Sequence, residues 1–428
     1  MTLSDELKLG LDGEPLSTAQ LSAALQTLDA TAPDVTSVEV VSDVIQPGSR
    51  TGVLKLGTSA EPRQIFVKKV AATHEGMANR PWADRRRTLA YARTEQRFYE
   101  EFVADPALAP RFAATGVSLP KLCGSENKLD ALLGDDPVHA LSAEEPSAEV
   151  QQTAGAILLV ECAEGYTQGS PLTEWQAEAA LRAVAGLHAA FWEEKGTLQT
   201  ASERLQRHGG VYALEIRSKA EIAKIKPNWD AFVEAFKNEP LAVETRLFEL
   251  PGMQTFGERL DAWYEYASSQ VSPGPTDQYA TLVHGDFKAM NVMLPGKDGV
   301  QPMLIDFAST GVGYGMCDVA MLLAHSVAPS VTENGGHLRL INCYLDALKE
   351  NGVTGYDRDV AMRHYHLATV DYARFVVARF WGGASPEAFA KRADNPNVCL
   401  PNRNVEAALR FAESAETSLW QLEQRGRI

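Results

Sequence analysis

A chain of 428 residues with 45% hydrophobic residues has room for one large domain or two lobes around an ample core. The formal net charge is −16, and residues 1–163 (15 basic, 23 acidic) and 164–428 (25 basic, 33 acidic) carry −8 each. No basic pole is offered, so neither nucleic acid nor membrane is an expected partner, while an acidic surface is compatible with a cationic or neutral substrate. Cys123, Cys162, Cys317, Cys343 and Cys399 show no metal or redox spacing and read as reduced thiols of a cytoplasmic protein. Met1-Thr2-Leu3-Ser4-Asp5-Glu6 lacks a basic n-region and an apolar h-region, and no apolar run is long enough to cross a bilayer.

Ser17 to Leu28 has helical periodicity, with Leu21, Ala24, Leu25 and Leu28 on one face and Ser17 or Thr18 as the cap. It belongs to an N-terminal extension, residues 1–34. From Val35 the period changes. Val38 to Ile45 reads as a strand, residues 46–52 as a turn, and Val53 to Leu56 as the returning strand. Gly48, Ser49 and Gly52 fall in that turn, where glycine lets the main chain approach phosphates closely; a plain hairpin turn is the alternative. Arg63 to Val70 is the next strand. Its Lys68 and Lys69 point to opposite faces, so one of them at most can meet phosphate.

A charged helix follows from Asp84 to Val103, with Leu89, Ala92, Phe98 and Phe102 on its apolar side. Leu119 to Cys123 reads as a strand, and the acidic stretch Asp130 to Gln152 as a mobile insertion. Ala156 to Val160 is an apolar strand that runs out through Glu161 and Ala163 to Gly165. Leu172 to Glu194 is an amphipathic helix, Thr173 its candidate cap, and it contains Leu187-His188-Ala189-Ala190-Phe191-Trp192. Leu241 to Ser268 is expected to be helical, with Trp229 and Trp263 as packing anchors. Gly311 to Gly315 reads as a flexible loop ahead of a helix opened by Asp318. The tail from Val360 to Leu422 is helical; its aromatic segment, with Asp371, Arg374 and Arg379, is a candidate wall for a substrate pocket. His364-x-His366 has no third ligand and is not read as a metal site.

The chemistry concentrates between residues 282 and 307. An apolar lead-in brings the chain to His284-Gly285-Asp286, Asn291 follows five positions later, and a second apolar strand begins. Pro295-Gly296-Lys297-Asp298-Gly299 has turn chemistry, and the returning strand Met303-Leu304-Ile305 ends on Asp306. A loop and a hairpin thus deliver two carboxylates and a carboxamide to one place. That is equipment for phosphoryl transfer: one carboxylate to take a hydroxyl proton, and a carboxylate with an amide to hold Mg2+.

His-Gly-Asp-x-x-x-x-Asn followed by Ile-Asp-Phe resembles the catalytic loop and metal motif of the aminoglycoside/choline phosphotransferases, small-molecule kinases of protein-kinase-like fold. The Leu-His-Ala-x-Phe-Trp signature resembles their ecdysteroid-kinase-like, or CHK-like, branch. The resemblance implies an α+β, bilobal fold: a small, mostly antiparallel β lobe with one main helix (residues 35–160) and a large, mainly helical lobe (161–428). It implies ATP and Mg2+ as cofactors and a hydroxylated small molecule as acceptor. Asp286 would be the base, and Asn291 and Asp306 the metal ligands. Lys68, directly after the triplet Ile65-Phe66-Val67, would hold the α/β-phosphates with Lys69 as the reserve. Glu95, in Thr94-Glu95-Gln96-Arg97-Phe98-Tyr99, would orient that lysine. Gly48, Ser49 and Gly52 would cover the phosphates, and Glu161 and Ala163 would meet adenine through their backbone groups.

His188 would be structural, and Asp318 an N-cap or a brace of the catalytic loop. Lys288, where many members have a small or aromatic residue, would either stabilise transferred phosphate or be exposed. A protein kinase is disfavoured: Ala308 follows Phe307, and His284-Gly285-Asp286 lacks that group's arginine. The remaining alternative is a nucleotide-binding scaffold, against which the intact Asp286, Asn291 and Asp306 argue.

Overall fold

The computed structural model describes residues 3–46, 48–134, 144–296 and 301–426. Pro47 of the first turn, residues 135–143 of the acidic stretch and Lys297, Asp298 and Gly299 of the hairpin turn lie outside the described residues. Helix α1 (Thr18–Leu28) starts on a capping box: the Ser17 hydroxyl accepts from the Gln20 N–H, and the Gln20 side chain accepts from the Ser17 N–H.

Five antiparallel strands form the first sheet: β1 (Ser37–Ile45), β2 (Arg50–Gly57), β3 (Arg63–Ala71), β4 (Leu122–Asn127) and β5 (Gly155–Glu161), in the order β1-β2-β3-β5-β4. Strand alternation gives the sheet two apolar faces. Ile65 and Val67 pack with Leu54, Leu56 and Leu159 under Leu21, Ala24 and Leu25 of α1. Val70 and Ala156 pack on the other face with Leu89 and Ala90 of α2 (Trp82–Phe98). Helix α2 runs on into a π turn, Tyr99–Val103. There Phe98, Tyr99 and Phe102 enter the core of the helical lobe, so this one helix is shared by both lobes.

Past β5 the chain is mainly helical. The long elements are α3 (Glu174–Ala190), α4 (Ile225–Phe236), α5 (Phe256–Gln270), α6 (Met316–Ser326), α7 (Gly336–Glu350), α8 (Arg358–Phe380) and α9 (Val405–Arg425). Helix α8 lies centrally against α4, α5, α6 and α9. Two small sheets sit where the lobes meet. One orders β6 (Tyr166–Thr167), β9 (Val292–Pro295) and β10 (Met303–Leu304) as β10-β9-β6. The other orders β7 (Gln206–His208), β8 (Thr281–Val283) and β11 (Gly311–Gly313) as β7-β11-β8. The molecule is an α+β fold with an antiparallel sheet on one side and a helical body on the other.

Several elements differ from the sequence-based expectation. The strand expected at Leu119–Cys123 begins at Leu122, because Pro120 has no N–H for a ladder. The acidic stretch is helical at both flanks (Asp130–Leu133, Ala148–Thr153), where Asp130 pairs with Arg97 at 2.8 Å and Leu133 is buried. The helix expected over Leu241–Ser268 breaks after Glu244, where Arg246 turns left-handed (φ 53°), resumes for one turn at Pro251–Gln254, and α5 starts afresh at Phe256.

Gly311–Gly313, expected to be a flexible loop, is a buried strand between two others. Its glycines serve close approach: a Cβ on Gly311 would lie 2.2 Å from the Gln206 carbonyl oxygen, and one on Gly313 2.8 Å from Val283 Cγ2. Gly311→Ala is therefore expected to lower the unfolding free energy by about 3 kcal/mol in urea titration. Gly169→Ala, where a Cβ would meet nothing within 4 Å, should change it by less than about 0.5 kcal/mol.

Candidate active site

Strand β8 is buried along its length and delivers His284-Gly285-Asp286 to the junction of the lobes. Asp318, in the first turn of α6, accepts the His284 N–H at 2.7 Å and the Gly285 N–H at 2.9 Å. Asp318 is thus the brace of this loop; the N-cap position of α6 belongs to Gly315. Its carboxylate is held in turn by His188 Nε2 at 3.0 Å, and His188 Nδ1 meets the Tyr344 hydroxyl at 2.8 Å. His188 is fully buried and works inside the helical lobe.

Gly285 sits at φ +80°, where an added Cβ would come within 2.0 Å of the Ser309 carbonyl oxygen. His284 Nε2 donates to the Ile305 carbonyl (2.9 Å) while Nδ1 accepts the Asp286 N–H (3.3 Å), a pairing that sets its tautomer. Ser326 Oγ takes the Ala289 N–H at 2.8 Å.

The hairpin β9–β10 pairs Val292 with Leu304 and Met293 with Met303. Just beyond it Asp306 adopts φ +65° and turns its carboxylate toward the sheet lobe. Lys68 Nζ lies 2.9 Å from Asp306 Oδ1 and 2.6 Å from Glu95 Oε2. Lys69, on the opposite face of β3, donates instead to the Leu9 and Gly10 carbonyls, each at 3.1 Å, and so ties down the N-terminal extension.

Asn291 Nδ2 donates to the Asp286 carbonyl at 2.8 Å and stands 3.3 Å from Asp286 Oδ2. Lys288 Nζ binds the same Oδ2 at 2.6 Å. Phe307 stacks on Phe98 of α2, centroids 4.0 Å apart and planes 16° off parallel, and packs at 4.7 Å from the His284 ring. The helix that carries Glu95 is thereby pinned to the loop that carries Asp286.

The charged groups of the site shift one another. Burial pulls the Lys68 ammonium down, but Asp306 and Glu95 outweigh it and raise its pKa. Burial pushes the Asp306 carboxyl up, yet Lys68 and Lys288 overcome this and hold it at about 2. Lys288 is likewise opposed by burial and raised by Asp286 and Asp306. Burial raises the Glu95 carboxyl, and Lys68 pulls it back down.

Among the described residues no three His, Cys, Asp or Glu side chains form a metal cluster. The residues present nevertheless suit Mg2+, which takes one or two protein oxygens and completes its shell with phosphate and water. Asp306 stays ionised, and Asn291, its nitrogen turned to Asp286, keeps Oδ1 for a cation.

The other nucleotide-side candidates are less closely gathered. Gln46 N–H to the Ser49 carbonyl (2.8 Å) closes the β1–β2 turn, and Ser49 Oγ bonds Gln46 Oε1 at 3.0 Å. A Cβ on Gly48 would meet Thr88 Cγ2 of α2 at 2.5 Å. The turn is shorter than expected, so Gly52 lies within β2, where a Cβ would be 2.1 Å from the Ser42 carbonyl oxygen and 2.5 Å from Leu7. Sheet packing, not phosphate approach, accounts for that glycine. The Glu161 N–H is taken by the Lys121 carbonyl (2.9 Å), and the Ala163 carbonyl accepts from Tyr166 (3.4 Å) in the turn that leaves β5.

A cavity of about 440 Å³ opens on Asp286 and Lys288. Tyr372, Phe375, Arg379 and Phe380 of the tail helix α8 line it. Asp371 and Arg374 do not: they pair with each other at 2.9 Å, fully buried, and Arg374 bonds the Tyr212 carbonyl at 2.6 Å. His364 and His366 also part ways, to Tyr356 (2.9 Å) and Ser418 (3.1 Å). Sequence reasoning missed Arg87, Tyr91, Arg217 and Arg392 on the cavity wall. One signal was available: Arg87, Tyr91 and Glu95 are spaced i, i+4, i+8 and share one face of α2.

Lys68→Met leaves Glu95 and Asp306 facing each other without their cation, and is expected to cost about 3 kcal/mol of stability. Adding Glu95→Gln should return part of that loss. Thermal unfolding of both single variants and the double variant measures the coupling, and strict additivity would contradict the shared ion pair.

No curated protein matches the chain. Distant likenesses exist among solved structures. A microcompartment-associated aminopropanol kinase is 12% identical, with 94% of this chain and 98% of that one covered at TM-score 0.44. A choline kinase from Streptococcus pneumoniae is 11% identical, with 94% and 98% covered at TM-score 0.38. An amicoumacin kinase in complex with AMP-PNP, Ca2+ and its ligand is 12% identical, with 93% and 94% covered at TM-score 0.43. The sequence model of one family, described as the phosphotransferase enzyme family (APH), matches residues 83–339, more than half of the chain, from the first turn of α2 to past Asp318. The chain belongs to the phosphotransferase enzyme family.

Proposed function

We propose that this chain transfers the γ-phosphate of ATP, bound with Mg2+, to a hydroxyl of a small-molecule acceptor. The observation that carries the reading is the convergence of Lys68, Glu95, Asp286, Asn291 and Asp306 beside a cavity that opens on Asp286. Asp286 accepts the acceptor's hydroxyl proton at a carboxylate oxygen. Asn291 holds Asp286 in place through Nδ2 and offers Oδ1, with Asp306, to the metal, whose chemistry is to neutralise charge on the phosphates. Lys68, oriented by Glu95, holds the α/β-phosphates. Lys288 is close enough to the base to stabilise charge on the phosphoryl group during transfer.

Gly48 and Ser49 sit at the tip of a turn suited to cover the phosphates. Glu161 and Ala163 lie where the chain leaves the sheet lobe, suited to meet adenine through the backbone. Within the family, Leu187-His188-Ala189-Ala190-Phe191-Trp192 supports the ecdysteroid-kinase-like branch.

Asp286→Asn removes the base and keeps the shape. Its kcat should fall on the order of 10² to 10⁴, with ATP affinity changed by less than about twofold, since uniform binding is untouched. Turnover of ATP·Mg2+ over a panel of hydroxylated metabolites checks this. Tight ATP binding by the wild type without transfer to any acceptor would instead favour the scaffold reading.

A further inference from the structure

The cavity beside Asp286 is basic in a chain that is acidic overall. Arg87 of α2, Arg217, Arg379 at the end of α8, Arg392 and Lys288 all line it. A recess of about 860 Å³ adjoins it through the shared Arg87, Arg217 and Arg379, and adds Arg80, Arg86 and Lys224. Four carboxylates, Asp84, Glu215, Glu221 and Asp286, stand on the two walls against these eight cationic side chains. Asp84 serves Arg87 at 2.9 Å. Glu221 is divided between Arg379 at 2.9 Å and Arg217 at 3.9 Å. Asp286 is already paired with Lys288 at 2.6 Å.

Two side chains that line this cavity carry a buried donor with no hydrogen-bond partner among the described residues: Arg217, at Nε, and Tyr91, at its hydroxyl. The Arg217 side chain is only 4% exposed. Its remaining contacts are the Val211 carbonyl and the face of Phe375, 4.6 Å from the ring centroid. Burial pulls its guanidinium down to about 10, with Tyr91, Glu221, Arg379 and Arg87 as the charged or titratable groups around it. The Tyr91 hydroxyl has Arg217, Arg87, Asp286 and Arg379 around it in turn.

Buried polar groups of native proteins are almost always paired, so two orphan donors amid excess positive charge mark a place for an acceptor-rich partner. A cationic group there would meet like charge. A neutral one would leave the guanidinium with only its 3.9 Å share of Glu221. An anion accepts from both donors and from Arg379 at once.

We propose that the acceptor carries an anionic group, a phosphate, sulfate or carboxylate, which Arg217, Arg379 and Tyr91 hold while its hydroxyl faces Asp286. This rests on the phosphotransfer reading of Asp286. It reverses the expectation of a cationic or neutral substrate drawn from the total charge.

Calorimetry with inorganic sulfate as the probe, at low ionic strength, tests the anion site without any need for turnover. One sulfate per chain is expected. Arg217→Gln and the half-exposed Arg379→Gln, which gives up only a surface ion pair with Glu221, should each weaken it on the order of tenfold. Lys68→Met should leave it within about twofold, because its ammonium serves the nucleotide side.

No sulfate binding by the wild type overturns the proposal, as does binding that Lys68→Met abolishes and the arginine variants spare. In a second arm, hydroxylated metabolites are split on an anion exchanger and incubated with γ-labelled ATP·Mg2+. Label should enter the retained pool, and transfer confined to the unretained pool overturns the proposal. Absence of transfer to both pools while sulfate still binds overturns the phosphotransfer reading itself, and this pattern is distinct from a failure of the anion site alone.

Discussion

The Lys68 ammonium is shared between Glu95 and Asp306, and through it three distant segments are held at one point: β3, α2 and the end of β10. A largely buried cation with one partner would be expensive; with two it becomes a registration device, because the buried Glu95 cannot leave it without losing the partner of its own charge. Phe98 stacked on Phe307 joins two of these segments, α2 and the stretch after β10, through apolar contact. The polar link sets direction and the aromatic link sets distance. Together they make α2 the member through which the sheet lobe and the helical lobe report each other's position.

Beneath that bridge lies a second buried network, from Tyr344 through His188 to Asp318 and on to the His284 and Gly285 N–H groups. In a low-dielectric interior such a fully satisfied chain is stiff. It has to be, since Gly285 and Asp306 both occupy left-handed backbone, at φ +80° and +65°. Those conformations persist when the surroundings over-determine them, and they aim Asp286 and Asp306 into one cleft. The aspartate of α6 is thus a brace that holds the loop by its backbone.

Charge is organised on a different scale from the one that composition reports. A total of −16 describes the far surface and the colloid. The field inside a cleft is set by groups within roughly one Debye length, about 8 to 10 Å, and by how little water lies between them. Arg87, Arg217, Arg379 and Lys288 come from four separate segments, so no local run of sequence announces a basic pocket.

Contiguous residues by themselves determined the loop at 284–286, the hairpin that ends on Asp306, the Ser17 capping box, the apolar strands of the sheet and the presence of α2 with Glu95. Each of these is written within a few turns of helix or one hairpin, where spacing and local chemistry suffice. Tertiary structure decided the rest. Lys68 and Lys69 are neighbours on one strand, and only the packing of β3, with α1 on one face and the cleft on the other, sends Lys68 to Glu95 and Lys69 to the Leu9 and Gly10 carbonyls. Gly311–Gly313 carries the composition of a loop and becomes a strand because two other strands close on it more tightly than any side chain allows. Asp318 became a brace, and the arginines a pocket, through contacts that join segments tens to hundreds of residues apart. Such contacts depend on how whole elements pack, which no periodicity along the chain records.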